Sequence, residues 1–151
     1  MKELHPALLV VQGLAIVVAA VLVESDRPLR KLKVKDALAL LDGVGHEVVV
    51  DGQPPAGNPP IGWARDVVAF LKEALTNARR HGKPERVTVR IGWGEMLDLT
   101  VEDDGVGFDP DEGRGFGLGN LEKRAGDLGG VCEIASSPGG GTRVRMRVPV
   151  R

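Results

Sequence analysis

The amino-acid sequence predicts an α/β fold: a two-layer sandwich in which a mixed, mostly antiparallel sheet carries its helices on one face. Three observations point there. Residues Val87–Trp93 and Met96–Glu102 alternate apolar and polar side chains around Gly94-Glu95, the mark of a hairpin. Two longer stretches repeat apolar residues at helical spacing. The C-terminal segment sets Val144, Met146 and Val148 against Arg143, Arg145 and Arg147, a strand with one face in water. A sheet with one wet face has one face left to cover, so two layers suffice.

A chain of 151 residues makes one ordinary domain with room for a real core, so neither disulfide nor structural metal is needed. The single cysteine, Cys132, allows no internal disulfide and suits a reducing, cytoplasmic setting. Twenty basic residues against 21 acidic ones give no electrostatic case for nucleic acid as a partner.

Two regions divide the chain. Residues 1–25 form an apolar N-terminal segment, and residues 26–151 carry the folded domain. From Ala7 to Val23 only Gln12 and Gly13 break the apolar run. At about 1.5 Å per residue it reaches roughly 25 Å, the lower limit for a membrane-spanning helix. Arg27, Arg30, Lys31, Lys33 and Lys35 follow, as expected on the cytoplasmic flank of an anchor. A helix packed on the domain or on a second copy in a homodimer fits residues 7–23 equally well, and the β-branched Val10, Val11, Ile16, Val17, Val18 and Val21 leave a strand open.

Val34–Leu41 has helical spacing and stops at Asp42-Gly43; His46–Val50 reads as a strand closed by Asp51-Gly52. Pro54, Pro55, Pro59 and Pro60 make a stiff connector. A long helix is expected from about Ile61 to Arg80, its apolar stripe carried by Trp63, Val67, Phe70, Leu71, Ala74 and Ala78. In the hairpin, Leu97, Leu99 and Val101 share one face and Asp98, Thr100 and Glu102 the other. Leu118–Leu128 is a helix stopped by Gly129-Gly130, and Val131–Ala135 and Arg143–Val150 are the last strands.

Four pieces carry chemistry. Glu73, Asn77 and His81 lie four apart on the long helix, so they project from one side, each about 40° further round. An Asn carboxamide oxygen is a hard ligand suited to Mg²⁺, and a carboxylate one turn away can take a proton or orient a metal-bound water. Taken alone, the triplet suits a solvated helix face better. Next, the acidic Glu102-Asp103-Asp104 leads into Gly105-Val106-Gly107-Phe108. A carboxylate at the strand end can accept from the exocyclic amine of adenine and disfavour the carbonyl of guanine. The spacing does not fit a calcium loop of the EF-hand type. Third, Gly113, Gly115, Gly117 and Gly119 alternate and feed a helix, exposing backbone N–H groups to an anion such as a triphosphate. No Gly-Lys-Ser/Thr follows, so this is not a Walker loop. Last, Ser136-Ser137-Pro138-Gly139-Gly140-Gly141-Thr142 turns the final strands and can set the Thr142 hydroxyl near a base.

In this order the four pieces resemble the Bergerat-fold ATPase superfamily shared by type II topoisomerases, a class of heat-shock chaperone, mismatch-repair proteins and histidine kinases. Glu73-Ala74-Leu75-Thr76-Asn77-Ala78-Arg79-Arg80-His81 looks like its N box, and Asp103-Asp104-Gly105-Val106-Gly107-Phe108 like the first glycine box. Gly115-Phe116-Gly117-Leu118-Gly119-Asn120-Leu121 looks like the second, and Gly140-Gly141-Thr142 like the closing glycine-threonine turn. The stretch from Gly117 through Arg124-Ala125 to Leu128-Gly129-Gly130, with a short lid between Gly107 and Gly115, is similar to nitrate-sensor and thermosensor histidine kinases.

The resemblance implies an ATP-dependent histidine kinase domain, with ATP and Mg²⁺ as cofactors. By it, Asn77 holds Mg²⁺ and Glu73 is the N-box acid beside it. Asp103 reads adenine, with Thr142 assisting through water. Gly105 and Gly107 shape the base pocket, His81 lines the nucleotide site, and Gly115, Gly117, Leu118 and Gly119 belong to the lid. The implied partners are a histidine-containing dimerisation domain and a response regulator. The family's acceptor histidine precedes an acidic residue on a helical hairpin. Here His46-Glu47 has that pair on a predicted strand, the wrong element, and His5 precedes Pro6. The expectation is therefore the catalytic domain of a larger kinase, a split kinase acting in trans, or a degenerate relative. An anti-sigma-type serine kinase and a non-catalytic ATP-sensing module are the alternatives.

Overall fold

The hairpin expected around Gly94-Glu95 lies at the centre of the sheet. The computed structural model describes residues 39–52, 62–112 and 118–150. The apolar segment 7–23, the basic stretch after it, the proline connector, Gly115 and Gly117 lie outside the described residues, as does all but the end of the expected helix at 34–41. Among the described residues no helix is long and apolar enough to cross a membrane.

Strand β1 (Gly45–Asp51) leads to helix α1 (Trp63–Asn77), then to β2 (Arg86–Trp93) and β3 (Met96–Asp103). Helix α2 (Leu118–Asp127), β4 (Val131–Ser136) and β5 (Thr142–Pro149) complete the chain. The sheet order is β1-β2-β3-β5-β4. β1 pairs parallel with β2 across the α1 crossover, and the other pairings are antiparallel, so the sheet is mixed and mostly antiparallel as expected.

Alternation sorts the two faces. Val87, Val89, Ile91, Leu97, Leu99, Val101, Val144, Met146 and Val148 are all buried, packed with Phe70, Leu71, Ala74 and Leu75 of α1 and Leu121 and Ala125 of α2. The opposite face carries charge paired with charge: Arg145 binds Asp98 through both Nε and Nη2, and Arg86 meets Glu47 at 3.2 Å. The guanidinium beside Asp98 holds its carboxyl below the usual carboxylate range.

The helix ends follow local rules. Gly130 N–H donates to Ala125 O and Gly129 N–H to Gly126 O, both at 2.9 Å, closing α2 with the paired bonds of a Schellman motif. Trp63 anchors the start of α1 by donating from Nε1 to Pro149 O at 3.0 Å. One expectation is corrected. The long helix does not continue as α-helix to Arg80; after Asn77 it opens into a π-helical turn, Ala78–Gly82, and leaves through Lys83 at φ +45°. With i→i+5 bonds the turn holds more residues than an α-turn. His81 is therefore not carried 40° past Asn77 but stays over the same side.

Candidate nucleotide site

At the end of the sheet where α1 opens, register sets three residues in a row: Asp103 on β3 pairs with Thr142 on β5, which pairs with Ser136 on β4. Each continues the inward-facing alternation of its strand. Above them lies a cleft lined by Ala74, Asn77, Ala78, His81, Gly82, Val101, Asp103, Gly107, Phe108, Leu118, Thr142 and Val144. The apolar lining suits a planar base, with few polar groups to orient it.

Asp103 is the one buried charged residue among those described, 7% exposed. Burial pushes its carboxyl above the ordinary Asp value, and the neighbouring Asp104 and Glu102 add to this, while the backbone N–H groups of Gly105 and Thr142 pull the other way. Gly105 N–H donates to Oδ1 at 2.9 Å. The carboxylate is thus oriented by its own loop, with acceptor capacity left over at the cleft. Asp104, next in sequence, does something different. Its Oδ1 accepts from Glu85 N–H at 3.0 Å and Arg86 N–H at 2.9 Å, fastening the loop to the start of β2.

The glycines act by close approach. Val106 N–H donates to Gly82 O at 2.8 Å, drawing the loop onto the π-turn. A Cβ on Gly105 would overlap Gly82 O, and Gly107, at φ +63°, would drive one into Ser137 O. The π-turn, the loop after β3 and the closing hairpin therefore interlock by backbone contacts that side chains would block.

Asn77 reaches the cleft from the last α-turn. Its Nδ2 position is buried with no hydrogen-bond partner. Since either end of a carboxamide can occupy that position, Asn77 offers an unsatisfied polar group to a ligand. Its oxygen fits the single hard protein ligand that Mg²⁺ needs when phosphates and water supply the rest.

Of the expected site residues, the structure brings together Asn77, His81, Asp103, Gly107, Leu118 and Thr142. Gly105 stands behind the cleft and shapes it through Gly82. Glu73, one turn before Asn77, is half-buried and not among the lining residues, and neither is Gly119. The apolar stripe of α1 contributes as well, since Ala74 and Ala78 line the cleft beside Asn77. Sequence reasoning passed over Gly82, Phe108 and Ser136. Strand alternation through Cys132 and Ile134 would have turned Ser136 inward beside Thr142.

Residues 64–151 match the family model described as histidine kinase-, DNA gyrase B-, and HSP90-like ATPase. An uncharacterized sensor-like histidine kinase of Chloroflexus aurantiacus is 34% identical over 98% of this chain and 24% of its own length. Sensor histidine kinase LiaS of Bacillus subtilis is 40% identical over 54% of this chain and 23% of its own. The chain thus spans about a quarter of these relatives. Among solved structures, the histidine kinase domain of the blue-light activated kinase of Erythrobacter litoralis superposes with a TM-score of 0.56 at 27% identity, over 77% of this chain and 58% of that one. The ATP binding domain of PrrB from Mycobacterium tuberculosis gives 0.59 at 22% identity, over 78% of this chain and 88% of that one, a likeness of fold alone.

Proposed function

Because the chain belongs to the histidine kinase-, DNA gyrase B- and HSP90-like ATPase family, we propose that it serves as the catalytic domain of a two-component sensor histidine kinase, passing the γ-phosphoryl group of ATP to a histidine on a dimerisation segment and thence to a response regulator. The observation that carries this reading is the buried carboxylate of Asp103 sharing one cleft with the unpartnered amide of Asn77. One group can read a base and the other can meet a metal-bound triphosphate.

In this reading Asp103 accepts from the adenine amine, while Val101, Phe108, Leu118 and Val144 enclose the ring. Asn77 is the residue that would hold Mg²⁺, which when bound neutralises phosphate charge. Leu118, with Gly119, starts α2, whose first-turn N–H groups have no partner within the helix and can meet phosphate oxygens. Catalysis is then mainly positioning and charge neutralisation. Glu73, one turn before Asn77 on α1, is the N-box acid in this reading and lies beside the cleft lining. His46 is not the acceptor in this reading. It sits on edge strand β1 with Nδ1 donating to Val44 O at 3.0 Å, on the sheet that forms the ATP site. Residues 7–23 are, in this reading, a membrane anchor or a segment that packs on the domain or on a second copy.

The test supplies the full chain with labelled Mg-ATP, a separate acceptor hairpin and a response regulator. Acid-labile phosphohistidine on the hairpin, chased onto the regulator, is expected. Phosphoserine on a partner would identify a serine kinase instead, and nucleotide binding without transfer to any partner an ATP-sensing module.

A further inference from the structure

Ser136 lies beside the cleft, at the end of β4, and its hydroxyl has three neighbours at 2.9 Å: Phe108 N–H, Gly141 O and Thr142 Oγ1. A hydroxyl has one proton to donate and two lone pairs to accept with. Phe108 N–H can only donate, so it takes one lone pair. The Gly141 carbonyl can only accept, so it takes the proton. What remains toward Thr142 is a lone pair, and the Thr142 hydroxyl must be the donor in that contact. The Thr142 proton is therefore turned away from the cleft, and the oxygen that lines it presents lone pairs.

We propose that Ser136 is a specificity-setting positioning residue: by taking up the Thr142 proton it makes the base-reading edge of the cleft, Asp103 and Thr142 together, an edge of acceptors. This rests on the reading of the cleft as an adenine site. Asp103 and Thr142 are register partners at the end of adjacent strands, so a ring held against one meets the other. A 6-amino purine brings two N–H donors to such an edge, directly or through a water. A 6-oxo purine brings a carbonyl oxygen, and with the Thr142 proton committed to Ser136 no hydroxyl is free to receive it. Unpaired polar groups of this kind discriminate more strongly than shape does. Ser136 touches no nucleotide itself; it acts through Thr142, and through Phe108 it also ties the loop after β3 to the closing hairpin.

Inosine triphosphate is the probe, since it differs from ATP only in a 6-oxo group and an N1–H in place of the 6-amino group and bare N1. Calorimetric titration of the full chain with each nucleotide gives a preference ratio. In Ser136→Ala the Thr142 proton is released toward the cleft, and the ratio of ATP to inosine triphosphate affinity should fall about three- to tenfold, the worth of one hydrogen bond. Ser136→Thr keeps the hydroxyl and should restore the ratio. Thr142→Val removes the repelling lone pairs and should lower the ratio in the same direction, which keeps the proposal testable should Ser136→Ala fail to fold. Equal weakening toward both nucleotides in Ser136→Ala, or an unmoved ratio in Thr142→Val, with a wild-type chain that still prefers ATP, overturns the role of Ser136 alone. A wild-type chain indifferent to the base overturns the adenine reading and this proposal with it.

Discussion

Asp103 and Asp104 are adjacent acids with opposite jobs, and exchanging each for alanine should separate binding from stability. Asp103 is buried at the cleft, with one oxygen bonded to Gly105 N–H. Asp103→Ala removes the hydrogen bond from a base amine to a charged acceptor, worth about 1.5–3 kcal/mol, or roughly ten- to a hundred-fold in ATP affinity. Its effect on stability should be small. The Gly105 bond is lost, but so is the cost of keeping a carboxylate out of water. Asp104→Ala leaves the cleft untouched and strips two backbone N–H groups, Glu85 and Arg86, of their acceptor. The site is exposed, so water replaces part of the loss, leaving about 1–2 kcal/mol. At roughly 2–4 °C per kcal/mol for a chain of this length, the melting temperature should drop by at least about 2 °C, with ATP affinity held within about twofold after correction for any unfolded fraction. Calorimetric titration gives the affinities and thermal denaturation the stabilities. If Asp104→Ala lost the affinity and Asp103→Ala the stability, the wrong carboxylate would have been placed in the site.

Three further outcomes follow from the same geometry. Asn77→Asp should cripple phosphoryl transfer while shifting the melting temperature by no more than a few degrees, since it changes the ligand offered to the metal and little packing; a fully active mutant would argue against Asn77 as the metal-facing group. Gly105→Ala places a methyl against Gly82 O, which should cost about 1–3 kcal/mol of overpacking and weaken ATP binding by displacing the π-turn; unchanged melting and affinity would mean that the interlock is loose. Burial raises the Asp103 carboxyl, so the native state holds its proton to higher pH than the unfolded chain. Its share of stability is present below the ordinary Asp range and declines as pH rises through the raised value. ATP affinity runs the other way, falling on acidification as the acceptor is protonated. Asp103→Asn should abolish that pH dependence, and an identical profile in mutant and wild type would assign it to another group.

Strands β2 to β5 were legible because each obeys a period of two with one wet face: Leu97, Leu99 and Val101 could be placed inward by inspection, and the same count carries Asp103 inward after them. The glycine clusters were legible as turns where the backbone is closely approached, by a ligand or by another segment. What local pattern could not show is what depends on contacts between distant segments. The π-turn at Ala78–Gly82 has no periodic signature and is matched to a loop more than twenty residues later, through Val106 N–H and Gly82 O. The parallel pairing of β1 with β2 is likewise a tertiary fact. The Glu102-Asp103-Asp104 run displays three acids, and only the pairing of Asp104 with Glu85 and Arg86 reveals which one is structural. Ser136 sat in a glycine-rich hairpin of low specificity, and its importance depends on Phe108 arriving from 28 residues away.

In the proposed function ATP sits at one end of the sheet, between Asn77 and the row Asp103–Thr142–Ser136. Amide chemical shifts of the isotope-labelled chain, followed by magnetic resonance through a titration with Mg-ATP, test it most directly. Saturable shifts concentrated at Asn77, Gly82, Gly105, Gly107, Phe108, Leu118 and Thr142 are expected, with Arg90, Asp98 and Arg147 on the opposite face unmoved. Shifts centred on that charged outer face, or no saturable shift at any ATP concentration, would contradict it.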